Sequence, residues 1–561
     1  MRRKMKNRKF TNRLVSAALV AAIFLPNLAA AQTAAKPAVF TAPKEAIDRI
    51  RDEGMNRSQY MQTLSFLTDN IGGRLTGSPN MKRANEWTRD KMKEWGMQNA
   101  HLESWGPFGR GWALRKFTAA VIDPQYIPVI AYPNAWSPST KGAVTSEVVL
   151  FNAKTEAEFA KYKGQLAGKI VLMSGERPIK PLDKALLSRY SDEDLSKMAS
   201  AAPPSDSSGS GLPPADIIKR FVDGFNQDVK RTKFLQEEGA AVTLYNSGEG
   251  SGGTFFVQGA NVAVEMPTEI KSIYDIFDSP AFQPQNKKYE ANMLPQVTVA
   301  SEDYNRIVRM INNGAKPKMT VEVDAQYYDD DPMQYNTIAE IPGTDPALKD
   351  EVVMLGAHLD SWHSSTGATD NGAGSAAVME AARIILASGL QPRRTIRVAL
   401  WSGEEQGLFG SANYVKQHFG EKKNGTIVKG PDYDKLAGYF NLDNGTGKIR
   451  GVYLQGNANI KPLFEAWLAP FNDLGAKTLT LSNTGGTDHL SFDAIGLPGF
   501  QFIQDEVEYD TRTHHSNQDN FDRIQADDMK QASTIIAAFV YQTAMMDGKL
   551  PRKTVKAGPQ M

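Results

Sequence analysis

The sequence predicts an α/β fold built on a mixed, mostly parallel sheet with helices on both faces. Three observations predict it. From about residue 336, near-continuous apolar strands alternate with helical segments, the pattern of a parallel sheet buried on both sides. Hydrophobic residues make up 41% and charged residues 23% of the 561, a globular composition over a length that suits two or three domains. There are no cysteines, so the core must suffice without disulfides, and thiolate chemistry is excluded.

In chain order, residues 1–31 hold seven Lys/Arg and no acid, then an apolar run at 14–25 and Ala29-Ala30-Ala31. This reads as a signal peptide cleaved near Ala31; the run is shorter than the ~20 residues a membrane span needs. The expectation is an exported protein, periplasmic or secreted, with no membrane span. What remains carries 57 basic against 63 acidic residues, a mildly acidic body without the basic face that nucleic acid requires.

Residues 44–97 read as helices, with Ile47, Ile50, Leu64 and Leu67, then Trp87 and Met92, at helical spacing around a turn at Gly72-Gly73 and Gly77-Ser78-Pro79. Residues 116–136 read as short strands broken by prolines, and 202–214 as a Pro/Ser/Gly-rich surface loop. Between about 140 and 325, strand-like runs at 147–151, 168–173, 240–247 and 294–300 are linked by loops. The later strands are 352–358, 395–402, 438–443 and 500–505, with a helix at 375–387 and another at about 525–546. Residues 549–561 read as a frayed basic tail.

Six of the seven histidines fall between 358 and 515, among acids at strand ends, where open α/β sheets place their sites. His358-Leu359-Asp360 closes one strand, and Asp370 follows twelve residues after His358. Glu404-Glu405 follows the second strand, Asn441-Leu442-Asp443 the third and His514-His515-Ser516 the fourth. Adjacent buried carboxylates are costly without cations, and imidazole with carboxylate suits zinc. Two zinc ions with one shared carboxylate need five side chains. The assignment is His358, Glu405, Asp443 and His515 as terminal ligands, Asp370 as the bridge and Glu404 as general base for a metal-activated water. Asp360 is expected to fix the tautomer of His358, and His489 either to hydrogen-bond the substrate or the developing charge or to be a structural histidine with a satisfied ring. Any one of these motifs alone reads as an ordinary turn or solvated edge; the ordered set carries the inference. Gly248–Gly253 fits GxGxxG, but strand follows it, so no nucleotide is expected.

The set His358-x-Asp360, Asp370-Asn-Gly, Glu404-Glu405-x-Gly-Leu, Asn441-x-Asp443 and His515-Ser-x-x-Asp519 resembles the co-catalytic zinc peptidases of family M28. Gly486-Thr487-Asp488-His489-Leu490-Ser491-Phe492 resembles that family's Asp-His-x-x-Phe signature, and 67–79 resembles its carboxypeptidase Q-type subgroup. The family's last ligand motif usually begins Tyr-His; here His514 precedes His515, and Asp519 four residues on favours His515. The resemblance implies a metallopeptidase with two Zn2+ per chain, a short peptide as substrate and, as a further expectation, a homodimer. It also implies domains at 44–138 (N-terminal helical part), 139–328 (an inserted protease-associated, or PA, domain) and 329–548 (the metallopeptidase domain). Aminopeptidase, dipeptidase and carboxypeptidase action stay open. The alternatives are a glutaminyl cyclase-like acyltransferase and a catalytically inactive binding protein of the same architecture.

Overall fold

The computed structural model describes residues 39–204, 215–267, 269–270, 275–276 and 279–553. The expected signal peptide, most of the 202–214 loop and the end of the basic tail lie outside them.

Helices Lys44–Asn56, Tyr60–Ser65 and Pro79–Glu94 come first. The strands follow as β1 (Gln98–Pro107), β2 (Gly111–Asp123), β3 (Ile127–Pro128), β4 (Ala131–Pro133), β5 (Val144–Leu150), β6 (Ile170–Leu172), β7 (Val242–Asn246), β8 (Gln296–Val299) and β9 (Lys318–Tyr328). Then come β10 (Met333–Ile341), β11 (Val352–His358), β12 (Thr395–Trp401), the hairpin β13 (Gly420–Lys423) and β14 (Thr426–Lys429), β15 (Leu436–Asn441), β16 (Ile449–Tyr453), β17 (Thr478–Thr480) and β18 (Gly499–Gln504).

The first sheet has the order β1-β10-β12-β11-β15-β18-β16-β17. Its centre, β12-β11-β15-β18, is parallel, and β10 and β16 run antiparallel beside it. Every residue of β11, β15 and β18 is buried, as expected for strands covered on both faces. On one face helix Ala373–Ala387 is buried nearly all round, between the sheet and helices Lys44–Asn56 and Ala526–Met545. Its alanines permit that close approach, and its two buried charges, Glu380 and Arg383, pair with each other while Arg383 also pairs with Glu53. The N-terminal helices therefore share one core with the sheet. On the other face Tyr414, Val415 and Phe419 pack with Phe492 against Trp401 and Tyr439.

The second sheet has the order β3-β2-β9-β5-β6-β7-β8-β4. It takes in β2, β3 and β4, upstream of the expected boundary at residue 139. The sequence also missed helix Ala215–Glu237 and the length of β2 and β9, which pair along eleven positions. Alternation in β9 places Met319, Val321 and Val323 in the core. The start of the expected tail is anchored: Leu550 is buried and donates its N–H to the Ala437 carbonyl, and Lys549 pairs with Glu351.

Candidate active site

Four segments meet at the carboxyl ends of the central parallel strands. His358 is the last residue of β11; Glu404 and Glu405 follow β12, and Asp443 follows β15. The loop after β18 brings His514 and His515, whose left-handed backbone (φ 59°) turns its ring inward. Asp370 sits in the turn before helix Ala373–Ala387, across a cis Asp370–Asn371 peptide.

Asp370 stands between the two histidines. Its Oδ1 is 3.2 Å from His358 Nε2, and its Oδ2 is 3.2 Å from His515 Nε2. His358 Nε2 is also 3.3 Å from Asp443 Oδ1 and 4.0 Å from Glu404 Oε2. His515 Nε2 is 2.9 Å from Glu405 Oε2. His514 Nε2 is farther off, 3.8 Å from Asp370 Oδ2. Potential ligand atoms of His358, Glu404 and Asp443 lie within 4.8 Å of one another, as do those of His358, Asp370 and Glu405 and those of Asp370, His514 and His515.

Negative charge exceeds what the histidines offset. Burial, with the anions Asp443, Asp488 and Glu405 nearby, holds Glu404 well above the usual carboxylate range. Burial and Asp370 push Glu405 up to about 7. Burial works against His515 too, yet Glu405 and Asp370 lift it to about 10. Asp370 is buried as well, but His358 and His515 hold it well below its ordinary value. Among the described residues Glu405 Oε1 is buried without a hydrogen-bond partner. A crowded set of nitrogen and oxygen donors, no sulfur, and an orphaned carboxylate oxygen fit divalent zinc, which would invert this local pKa logic.

The supporting contacts differ from expectation at two positions. His358 Nδ1 donates to the backbone carbonyl of Asp360 at 3.0 Å; the Asp360 carboxylate is 3.7 Å away. That carboxylate instead accepts the N–H groups of Glu404 and Glu405, each at 3.3 Å, and the Thr76 hydroxyl at 3.0 Å. Asp360 thus holds the glutamate turn, and a carbonyl sets the tautomer. Of the two expectations for His489, the catalytic one is revised. Its ring is fully buried, with Nε2 3.2 Å from the Thr484 carbonyl and 3.0 Å from Gln455 Nε2. It is not among the residues lining the cavity over the cluster.

Sequence reasoning missed Arg74, Gln258 and Tyr509, and it named Asp519 only as part of a motif, without a role. Arg74 is fully buried; its guanidinium donates to the carbonyls of Leu359, Thr366 and Gly367 and clamps the loop between His358 and Asp370. Asp519 accepts the N–H groups of Thr369 and Asp370. Gln258 Nε2 lies 2.8 Å from His515 Nδ1. Tyr509 lines the cavity with its phenol pushed well above its ordinary value by burial and the nearby carboxylates. For Arg74 the local signal was an arginine after two glycines in a turn, which does not announce burial.

The cavity holds about 490 Å3, and its walls include Gln258, Leu408, Asn444 and Asp510 beside the cluster. Residues 336–540 match the model of peptidase family M28. The chain is 24% identical over 514 residues to carboxypeptidase Q of Mus musculus, covering 91% of this chain and 90% of that one. It is 36% identical to leupeptin-inactivating enzyme 1 of Streptomyces exfoliatus over 166 residues, 29% of this chain and 34% of that one. Among solved structures, a peptidase M28 precursor from Shewanella amazonensis aligns with a TM-score of 0.60 at 22% identity, covering 91% and 99% of the two chains. BSAP, a zinc aminopeptidase from Bacillus subtilis, aligns at 0.51 and 18% identity, covering 87% and 95%. The strand-end histidines and carboxylates all lie inside the matched region, so residues 336–540 form a peptidase family M28 domain, and the chain over nine-tenths of its length is similar to carboxypeptidase Q.

Proposed function

We propose that the chain is an exported di-zinc exopeptidase that removes the amino-terminal residue of short peptides. One observation carries the metal reading: the two oxygens of Asp370 each face a different histidine, as a bridging carboxylate must. His358 and Asp443 complete one donor set, His515 and Glu405 the other. Residues 1–31 serve as the export signal and the second sheet as a PA-like insert. The names of the relatives, a carboxypeptidase and a zinc aminopeptidase, agree with peptide-bond hydrolysis at a chain end.

The amino-end preference rests on the cavity walls. Beyond the carboxylates committed to zinc and to the base they carry Asp510, and they hold no lysine or arginine. An α-ammonium is welcome there, whereas an α-carboxylate finds no cationic side chain to pair with.

Zinc held by these residues supplies Lewis acidity and lowers the pKa of a coordinated water to about 7. Glu404 lies beside His358 and Asp443 but is assigned to neither donor set; it accepts a proton at its carboxylate and returns it to the departing amine. Its burial excludes competing water, and the Asp360 carboxylate fixes its backbone N–H. Glu404→Gln is expected to retain two zinc ions per chain by elemental analysis and lose peptide hydrolysis by about 10²–10⁴-fold. Asp370→Asn is expected to lose zinc. Full activity in the first variant removes Glu404 as the base; full zinc occupancy in the second contradicts the bridge.

A further inference from the structure

A cavity of about 510 Å3 shares no lining residue with the cavity over the acidic cluster. Three segments far apart in sequence build it. The stretch after β6 gives Arg177 and Lys180, the glycine-rich loop after β7 gives Gly250 and Thr254, and the chain after β18 gives Arg512 and Arg523. Among the described residues no carboxylate lines it.

Four cations brought to one cavity repel one another unless an anion offsets them, and the protein supplies little. Arg512 and Arg523 share a single carboxylate, Glu508, at 3.0 and 3.2 Å. Arg177 donates to neutral acceptors, the Ser301 hydroxyl at 2.7 Å and the Gly250 carbonyl. Lys180 makes no ion pair among the described residues. Glu302 does not line the cavity and is committed elsewhere, accepting the Gly252 and Gly253 N–H groups at 2.6 and 3.5 Å.

Two of the arginines are also held in place. The Arg177 backbone N–H donates to Asn305 Oδ1 at 2.9 Å, and its carbonyl accepts from Asn305 Nδ2 at 2.6 Å. Arg523 Nη2 donates to Gln518 Oε1 at 3.0 Å. A guanidinium has five N–H donors, so one fixed by protein partners keeps others for an oxyanion, whose geometry it matches. Ile179 and Leu182 also line the cavity, 38% and 65% exposed, as apolar neighbours for a small organic group.

We propose that this cavity binds a small tetrahedral dianion of the phosphate or sulfate class, free or as the monoester of a small alcohol, and that the bound anion ties the segment after β6 to the loop that carries His515. The volume suits a small molecule. Arg177 and Lys180 hold the anion from one side. Arg512, three residues before His515, holds it from the other. Exposed cations are screened by salt, so binding weakens as ionic strength rises. The site does not depend on the exopeptidase reading.

The test is isothermal titration of the full chain, loaded with zinc, with sulfate at low and constant ionic strength. One saturable site is expected, with a Kd on the order of 1 mM, which is what four exposed ion pairs supply at the upper end of their usual worth. Lys180→Glu is expected to weaken it about tenfold, through one ion pair lost and one repulsion gained. Lys184→Glu makes the same charge change at an exposed residue outside the cavity and is expected to leave binding nearly unchanged. Glycerol phosphate distinguishes the sources: affinity above that of sulfate, lost in Lys180→Glu, assigns an ester, and equal affinity assigns the free anion. Saturating sulfate is expected to slow zinc release to a chelator about fivefold, the lower end of coupling between two sites. Absence of saturable binding, or equal weakening by both substitutions, overturns the site. Unchanged zinc release with the site filled overturns the tie. Saturable, Lys180-dependent binding in a protein that hydrolyses no peptide supports the site and removes only the exopeptidase reading.

Discussion

His489 and Glu404 are two different kinds of buried group. Glu404 is raised by burial among anions, which suits a proton acceptor. His489 is pulled down to about 4 by burial, and its Nε2 faces the Thr484 carbonyl. A histidine whose folded value lies below its unfolded value stabilises the fold above about pH 6.5. That contribution is lost as pH falls toward 4, and the two values limit it to about 3 kcal/mol. His489→Gln is therefore expected to flatten the fall of the thermal midpoint between pH 6.5 and 4, relative to the parent protein, while keeping peptide hydrolysis at pH 7. A variant that keeps the parent's acid profile but loses activity at pH 7 would return His489 to the chemistry.

At the scale of elements, the ligands depend on how closely helix Ala373–Ala387 seats against the end of β15. Gly374 lies in the first turn of that helix. A Cβ built on it meets the Leu442 carbonyl at 2.2 Å and the Asn371 side chain at 2.4 Å. Asn371 in turn donates to the same Leu442 carbonyl at 2.9 Å and accepts from Gly374 N–H at 2.8 Å. This knot joins the Asp370 turn to the residue before Asp443. Gly374→Ala must push helix and strand apart, at a cost of about 1–3 kcal/mol for overpacking. The expected result is a lower urea midpoint together with reduced zinc content; a loss of stability with full zinc occupancy would uncouple the knot from the ligands. Arg74 does the equivalent work from the N-terminal side, where its guanidinium gathers carbonyls from both ends of the loop that follows β11.

The whole molecule is organised so that both sheets contribute to one loop. The segment before Gly259 reaches across to it: Val257 N–H donates to the His515 carbonyl at 3.2 Å, and Asn517 N–H donates to the Phe255 carbonyl at 3.2 Å. Gln258 contacts the ring nitrogen of His515 that faces away from the cluster. Gln258 presents its amide nitrogen there; were His515 to ligate through Nε2, its Nδ1 would carry the hydrogen and a flipped Gln258 amide would accept it through its oxygen. Gln258→Ala is expected to weaken zinc binding by about 10–100-fold in a chelator competition; unchanged affinity would leave the insert no part in the metal centre.

The order and spacing of the strand-end residues were legible in the sequence, because both are local properties. Apolar runs mark the buried strands, and a side chain just past such a run emerges at the carboxyl edge of a parallel sheet. His358, Glu404, Glu405 and Asp443 meet there as that rule requires, and Asp370 and His515 reach the same edge on the longer loops after β11 and β18. The same locality explains the misses. β2 and β9 pair across about two hundred residues of chain, so the prolines near β3 and β4 wrongly suggested only fragments. The burial of Arg74, the inward bond of His489, the carbonyl that sets His358 and the reach of Gln258 to His515 each depend on partners distant in sequence. Periodicity reports which face of an element is apolar; only the packed chain decides which polar atom meets which.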